Sequence, residues 1–265
     1  MTVEPYVVRA FNTATESDNK IHDDAVARRF GFTGGLVPGV DVYAYLTHLP
    51  ADVWGLDWLR RGRMQGRFAA PVYDGEEITV TAIETGPCAL TLELRNERGE
   101  VRATGEATLT DETPEPPDPS QWSVVEPAIP PLEPASPTTL AVGTALALAP
   151  HTFRAGRHGE YLADVREALA LYEKEGVAHP GWLLRDANYV LARNVRLGPW
   201  IHVESSAQHL GLVHDGESVS ALATVEAEWE AKGHRFVRLD VLLLAGDRPV
   251  ARVGHTAIHT PRLSP

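Results

Sequence analysis

Val37-Pro38-Gly39-Val40-Asp41-Val42-Tyr43-Ala44-Tyr45-Leu46 opens on a Pro-Gly pair and continues as an almost wholly apolar stretch. Proline suits a first helical turn, where its missing N–H costs no bond. A helix apolar on most sides is buried on most sides. The same opening returns at His179-Pro180-Gly181-Trp182-Leu183-Leu184-Arg185-Asp186-Ala187-Asn188-Tyr189-Val190-Leu191. Asp41, Tyr43 and Tyr45 in the first stretch, and Asp186 and Asn188 in the second, are the polar exceptions. Two buried helices are expected, one in each half of the 265 residues.

The sequence around them repeats as well. Ala69 to Ala82 reads as strand, Asp74-Gly75 turn and strand, and Gln208 to Ala221 reads the same way around Asp215-Gly216. Leu90 to Leu94 and Glu100 to Leu109 flank a turn at Asn96 to Gly99, and Val237 to Leu244 and Pro249 to His259 flank one at Ala245 to Asp247. These segments alternate apolar and polar residues, as half-buried antiparallel strands do. Pro38 and Pro180 stand 142 positions apart, Asp74 and Asp215 141, so the register holds within one residue across the repeat. Each half therefore predicts an α+β unit, a long helix wrapped by an antiparallel sheet. Joining the two sheets edge to edge removes exposed edges. Nine prolines between Thr113 and Thr138 favour extended chain, so the organisation predicted is an N-terminal unit over 1–112, a linker over 113–138 and a C-terminal unit over 139–265.

Lys plus Arg is 24 against 36 Asp plus Glu, a formal charge of −12 that repels nucleic acid and anionic lipid. The longest nearly uncharged apolar stretch, Leu140 to Pro150, is too short to span a bilayer, and the first residues lack a basic and an apolar leader region, so a cytoplasmic location is expected. The one cysteine, Cys88, has no partner for a disulfide. His202, His209, His214, His234, His255 and His259 lie without a carboxylate or cysteine at metal-ligand spacing, so no metal is expected. Nucleophile-elbow, Rossmann and P-loop glycine motifs are absent from the sequence.

The densest polar cluster is Thr13-Ala14-Thr15-Glu16-Ser17-Asp18-Asn19-Lys20-Ile21-His22-Asp23-Asp24, followed by a short amphipathic helix over Ala25 to Phe30 and the glycine-rich stretch Gly31 to Gly39. This arrangement resembles the MaoC-like dehydratase and (R)-specific enoyl-CoA hydratase family of hot-dog proteins, whose signature is Asp-x-Asn-x-x-His, a short helix, a glycine turn and the central helix. Asn19 and His22 match the Asn and His, and Gly39 falls where that family has a glycine opening the helix. The resemblance implies a double hot-dog of two central helices, with the catalytic loop in the first half and a second half that cradles substrate. Ser17 stands where the family has its catalytic Asp, Asp18 is the nearest carboxylate, Lys20 replaces a Pro and Pro38 a His. The second half has no Asn-x-x-His: the position equivalent to His22 falls near Asp164, in a helix-like run from Glu160 to Glu175.

The chemistry this implies is reversible hydration of a 2-enoyl thioester, or dehydration of a 3-hydroxyacyl thioester, carried on coenzyme A or an acyl carrier protein and needing no cofactor. It takes a proton acceptor, a group that holds water and donors on the thioester oxygen. His22 titrates near neutrality and serves as acid/base. Asn19 and Asp18 position His22 or water, and the amides of Gly39 and Val40 at a helix N-terminus polarise the carbonyl. Ser17 belongs to the substrate-binding set. Arg63 and Arg67, in a basic cluster with Arg60 and Arg61, read either as partners for coenzyme A phosphates or as a solvated strand entrance. Leu36, Val40, Tyr43 and Leu46 either line or pack an acyl tunnel. The alternatives to hydration are a non-hydrating acyl-thioester-binding protein or partner subunit, and thioesterase or isomerase chemistry in the same tunnel. A homodimer is the partner considered; nucleic acid and membrane are not expected.

Overall fold

The computed structural model describes residues 3–263, which form one ten-stranded sheet with every pairing antiparallel. The first half supplies β1 (Tyr6–Arg9), α1 (Asp24–Arg29), α2 (Gly39–Arg61), β2 (Gly62–Phe68), β3 (Glu77–Gly86), β4 (Ala89–Asn96) and β5 (Val101–Leu109). The second supplies β6 (Ala145–Thr152), α3 (Ala155–Asp164), α4 (Leu171–Glu175), α5 (Pro180–Ala192), β7 (Ile201–His209), β8 (Ser218–Ala231), β9 (His234–Ala245) and β10 (Arg248–Thr260). Across the sheet the order is β1-β3-β4-β5-β2-β7-β10-β9-β8-β6, so the halves repeat one order outward from a seam between β2 and β7. Arg63 faces Gln208 and Arg67 faces Glu204 across that seam. This is the double hot-dog architecture, with α2 packed on strands of the first half and α5 on strands of the second.

The packing follows from the patterns. Strand β4 buries every second residue, Leu90, Leu92, Leu94 and Asn96, against the helix side. Helix α2 buries Val40 through Thr47 without a break and kinks at Gly55, whose φ of 57° and ψ of −142° are open to glycine and strained for other residues. Burying side chains such as Leu46, Leu49 and Trp58 is worth about 2–3 kcal/mol each. The two helices meet directly: a Cβ at Gly181 would stand 2.7 Å from the Ala44 Cβ, so the start of α5 packs on α2 only through a glycine.

Three expectations change. The segments before Asp74-Gly75 and Asp215-Gly216 leave the sheet at Phe68 and His209, and their backbones instead bind the chain entering each helix, Val37 N–H to Val72 O at 2.8 Å and Ala178 N–H to Val213 O at 3.0 Å. Those bonds fix the repeat offset at 141, so Pro38 matches His179 and Gly39 matches Pro180; both Pro38 and His179 are N-caps. The run from Glu160 to Glu175 is two short helices, broken where Arg166 takes a φ of 57°. The proline-rich segment lies on the outer face of the second half, where Trp122 is buried against Leu242 and Leu244 and donates its indole N–H to Asp240 O at 3.1 Å. Among the described residues no helix is long and apolar enough to cross a membrane.

Candidate active site

The loop from Asn12 to Leu36 is held by side chains capping backbone, and that is what aims His22. Asn19 caps the short 3₁₀ turn Lys20–His22, Asp23 caps α1 by accepting from Val26 N–H at 2.9 Å, and the Asp24 carboxylate accepts from Gly35 N–H at 2.8 Å. Asn12 donates to the His22 carbonyl at 3.0 Å. A Cβ at Gly35 would lie 2.1 Å from that carbonyl oxygen, so only glycine lets the two passes of the loop approach.

His22 Nδ1 lies 2.7 Å from Leu36 O. A carbonyl only accepts, so Nδ1 carries the hydrogen and Nε2 keeps a lone pair. Burial lowers the His22 pKa below its ordinary 6.5, against the Leu36 hydrogen bond and the Asp41 charge, so the ring is a neutral base at pH 7. Asn19 Nδ2 approaches that lone pair at 3.3 Å and donates to Trp200 O at 3.0 Å, while Asn19 Oδ1 accepts from Trp200 N–H at 3.1 Å. Asn19 therefore positions His22 and ties the loop to the second half; its amide is taken up by these contacts.

Two cavities meet at this pair. One, of about 470 Å³, carries the polar residues Ser17, Asp18, Arg185 and Arg193 beside apolar Val40, Ala192 and Leu197, and is the more polar of the two. The other, of about 230 Å³, is lined by Leu36, Val42, Phe68, Val72 and Ile258, and also by Gly39 and His202. Asn19, His22, Pro38, Asn188 and Trp200 line both, so they form the junction. Tyr43 and Leu46 line neither and are core residues. Among the described residues Gly39 and Val40 N–H have no hydrogen-bond partner, and α2 has no side-chain cap, so its positive end faces the cavities uncapped.

The loop and helices bring Ser17, Asp18, Asn19, His22, Gly39 and Val40 together around these cavities. Asp18 is exposed in the wall of the polar cavity and is not at the junction. Arg63 and Arg67 are not brought there: both fall on the exposed alternation of β2, and Arg63 lines a separate groove on the outer face with Arg238 and Arg252. The sequence reading missed Trp200 and His202, and did not carry Asn188 beyond its oddity in an apolar helix. Asn188 Oδ1 is buried without a partner at the junction, and that oddity was the available signal. Arg185 was missed too: its Nη2 contacts Asp41 Oδ1 at 2.8 Å and Thr13 Oγ1 at 3.3 Å. Burial works against the Arg185 charge, and the Asp41 carboxylate outweighs it.

The corresponding place in the second half is filled and capped. Residues 141 positions on from the wall of the apolar cavity, Ala178, Leu183, His209, Gly211, Leu212 and Val213, enclose only about 10 Å³. At the start of α5 Pro180 has no N–H, and Gly181 N–H is capped by His179 Nδ1 at 3.0 Å. Glu167, with His48 Nδ1 at 2.9 Å and His179 Nε2 at 3.5 Å, sits buried in that half. Burial raises the Glu167 pKa, but the hydrogen bonds of His179 and His48 outweigh it and leave it at about 2. Among the described residues no group of three or more His, Cys, Asp or Glu is placed to hold a metal ion.

Comparison with solved structures places the fold among double hot-dogs. The chain is similar to a protein assigned as a MaoC domain dehydratase from Chloroflexus aurantiacus (14% identity, 99% of this chain and 96% of that one, TM-score 0.61). It is similar to a conserved protein with a double hot-dog fold from Mycobacterium tuberculosis (13% identity, 97% and 96%, TM-score 0.59). A protein assigned as a thioesterase from Novosphingobium aromaticivorans is also similar (10% identity, 96% and 94%, TM-score 0.54). No protein-family model and no curated protein sequence matches the chain.

Proposed function

We propose that this chain is a hydro-lyase acting reversibly on 2-enoyl and 3-hydroxyacyl thioesters, with one working site per chain. The observation that carries this reading is the pairing, in the first half only, of a neutral histidine with uncapped helix amides at the meeting of a polar and an apolar cavity. The acyl chain occupies the apolar cavity and the carrier arm the polar one, where Arg193 is available to a phosphate. The thioester carbonyl lies at the start of α2, against Gly39 and Val40 N–H.

In the hydration direction water replaces the 3.3 Å Asn19 contact at His22 Nε2, which takes a proton from it as the water oxygen bonds to the β-carbon. The alkene pair shifts, negative charge develops on the thioester oxygen, and the helix amides stabilise it. The proton then passes from His22 to the α-carbon, so one water is added and the histidine is neutral again. Asn188, in the wall of both cavities, takes the water-holding share of the work that falls in the family signature to an Asp where this chain has Ser17. Dehydration runs the same steps backwards.

The test is loss of enoyl absorbance for a short-to-long series of trans-2-enoyl-CoAs, with His22→Ala beside the unchanged protein. Hydration that falls at least a hundredfold in the variant supports the assignment. Release of free thiol with the double bond intact moves the assignment to thioester hydrolysis, and binding without turnover moves it to an acyl-thioester-binding protein.

A further inference from the structure

Four strands of the second half are longer than their counterparts in the first. Strands β7, β8, β9 and β10 run 9, 14, 12 and 13 residues, against 7, 10, 8 and 9 for β2, β3, β4 and β5. Glu77 and Ser218 open β3 and β8, and Phe68 and His209 close β2 and β7, each pair 141 positions apart, so the added length of β7 and β8 lies at their other ends. The extension therefore takes in the start of β7, the tip of the β8–β9 hairpin and the end of β10 paired with them. It stands beside Trp200, whose backbone Asn19 holds to the loop of His22.

This extension sorts its residues by face. Glu228, Glu230 and Arg235 share one face, where Arg235 Nε and Nη2 lie 2.8 and 2.9 Å from the Glu228 carboxylate oxygens. The other face carries one apolar row through four strands: Ile201 pairs with Ile258, Ile258 with Phe236 and Phe236 with Trp229. Directly paired residues of antiparallel strands share a face, and three interstrand steps span about 14 Å. Trp229 is 37% exposed, and its ring stacks on that of Phe236 at 5.1 Å and 8°. Contiguous apolar surface left open in this way marks a binding surface. Its near end is already in the site. Ile201 and Ile258 line the apolar cavity together with His202 and Val203, so the cavity reaches both faces of β7 at its start, where a bulge leaves Val203 out of the pairing. Its far end, Trp229, lies outside the cavity.

We propose that this row is the outer part of the acyl site, that it holds the distal half of a long acyl chain, and that long-chain thioesters are accordingly the preferred substrates, with Trp229 setting the preference. The inference rests on the thioester site proposed above and names its substrate class. Continuity decides the occupant: a chain that outgrows the cavity of about 230 Å³ meets Ile201 and Ile258 in its wall and then Phe236 and Trp229 beyond it. A methylene fully removed from water gains about fourfold in affinity, and one lying on an open face, half covered, about twofold.

The experiment is calorimetric titration of the full chain with saturated acyl-CoAs from butyryl to myristoyl, which bind without being hydrated, each kept below its micelle concentration. Myristoyl-CoA is expected to bind at least about thirtyfold tighter than butyryl-CoA, from about twofold for each methylene laid on the row. Trp229→Ser should weaken myristoyl-CoA about tenfold and butyryl-CoA, whose chain ends inside the cavity, less than twofold. Trp229→Phe, which returns an aromatic ring, should keep the preference for the longer chain. Trp229 is exposed, so neither variant threatens the core, and the butyryl-CoA affinity verifies that each is folded. If the length dependence and its loss in Trp229→Ser are found while no enoyl thioester is hydrated, the hydro-lyase reading falls and the acyl track stands. Affinity that stays flat beyond four carbons, or native length dependence in Trp229→Ser, would overturn the inference whatever the hydration assay shows. So would a dimer in sedimentation that Trp229→Ser dissociates, because a second copy would then cover the row.

Discussion

Asn19 grips the backbone of Trp200, 181 positions away, through both ends of its amide: Nδ2 donates to the carbonyl at 3.0 Å and Oδ1 accepts the N–H at 3.1 Å. A carboxylate of the same shape cannot replace it, because one of its oxygens would face the Trp200 oxygen and the His22 lone pair. Asn19→Asp and Asn19→Ala are therefore both expected to lower turnover tenfold or more, and to cost about 1–3 kcal/mol of stability through the groups left unpaired. Urea unfolding alongside enoyl-CoA kinetics checks this; an Asp variant as active as the native chain would show that the clamp does not orient His22.

The pH profile of kcat/KM follows from the His22 environment. Burial holds its pKa below 6.5, so the neutral, proton-accepting ring persists from pH 7 down past 6.5 before activity falls. An acid limb with its midpoint at or above 6.5 would contradict the assignment of His22 as the base.

Fold stability carries a separate acid dependence with a defined sign. Burial lowers His158 to about 3, His209 to about 4 and His255 to about 3. These groups are neutral when folded and take protons only on unfolding below about pH 6.5, so stability is full above that pH and declines below it down to the folded values. Each contributes a slope of about 1.4 kcal/mol per pH unit in that window. Thermal unfolding between pH 7.5 and 5 should show Tm falling with pH; a constant Tm would mean the histidines are already charged in the folded chain.

Asp41 and Arg185 join α2 to α5 across the two halves, and Asp41 is fully buried. Asp41→Ala leaves a largely buried guanidinium without its partner and is expected to cost about 3–5 kcal/mol. Asp41→Leu with Arg185→Met should regain most of it, since no charge is then stranded. Denaturant midpoints for the singles and the double decide this, and additive losses would rule out the coupling.

Placement of the arginines predicts a contrast in substrate affinity. Arg63→Ser and Arg67→Ser, on the outer face of β2, should leave KM for an enoyl-CoA within about twofold, while Arg193→Ser, in the wall of the polar cavity, raises it several-fold. The reverse pattern would relocate the carrier arm to the outer groove.

The sequence alone determined the repeat, the two buried helices behind their Pro-Gly openings, the alternating strands, and the loop that carries Asn19 and His22. Each of these is a short-range pattern: a helix or strand period, a turn dipeptide or a cap is written within a few residues of itself. Tertiary structure alone decided which residues from the second half complete the junction. Trp200, Asn188 and His202 lie more than 160 positions from His22 and reach the cavities beside it because β7 pairs with β2 across the seam and α5 packs on α2. The packing of α2 on β2 set the outward face of Arg63 and Arg67, since alternation in a strand separates two faces without saying which one the helix covers. It also decided that one cavity opens and its counterpart closes, because void volume is a sum over side chains from many elements, and local pattern does not encode that sum.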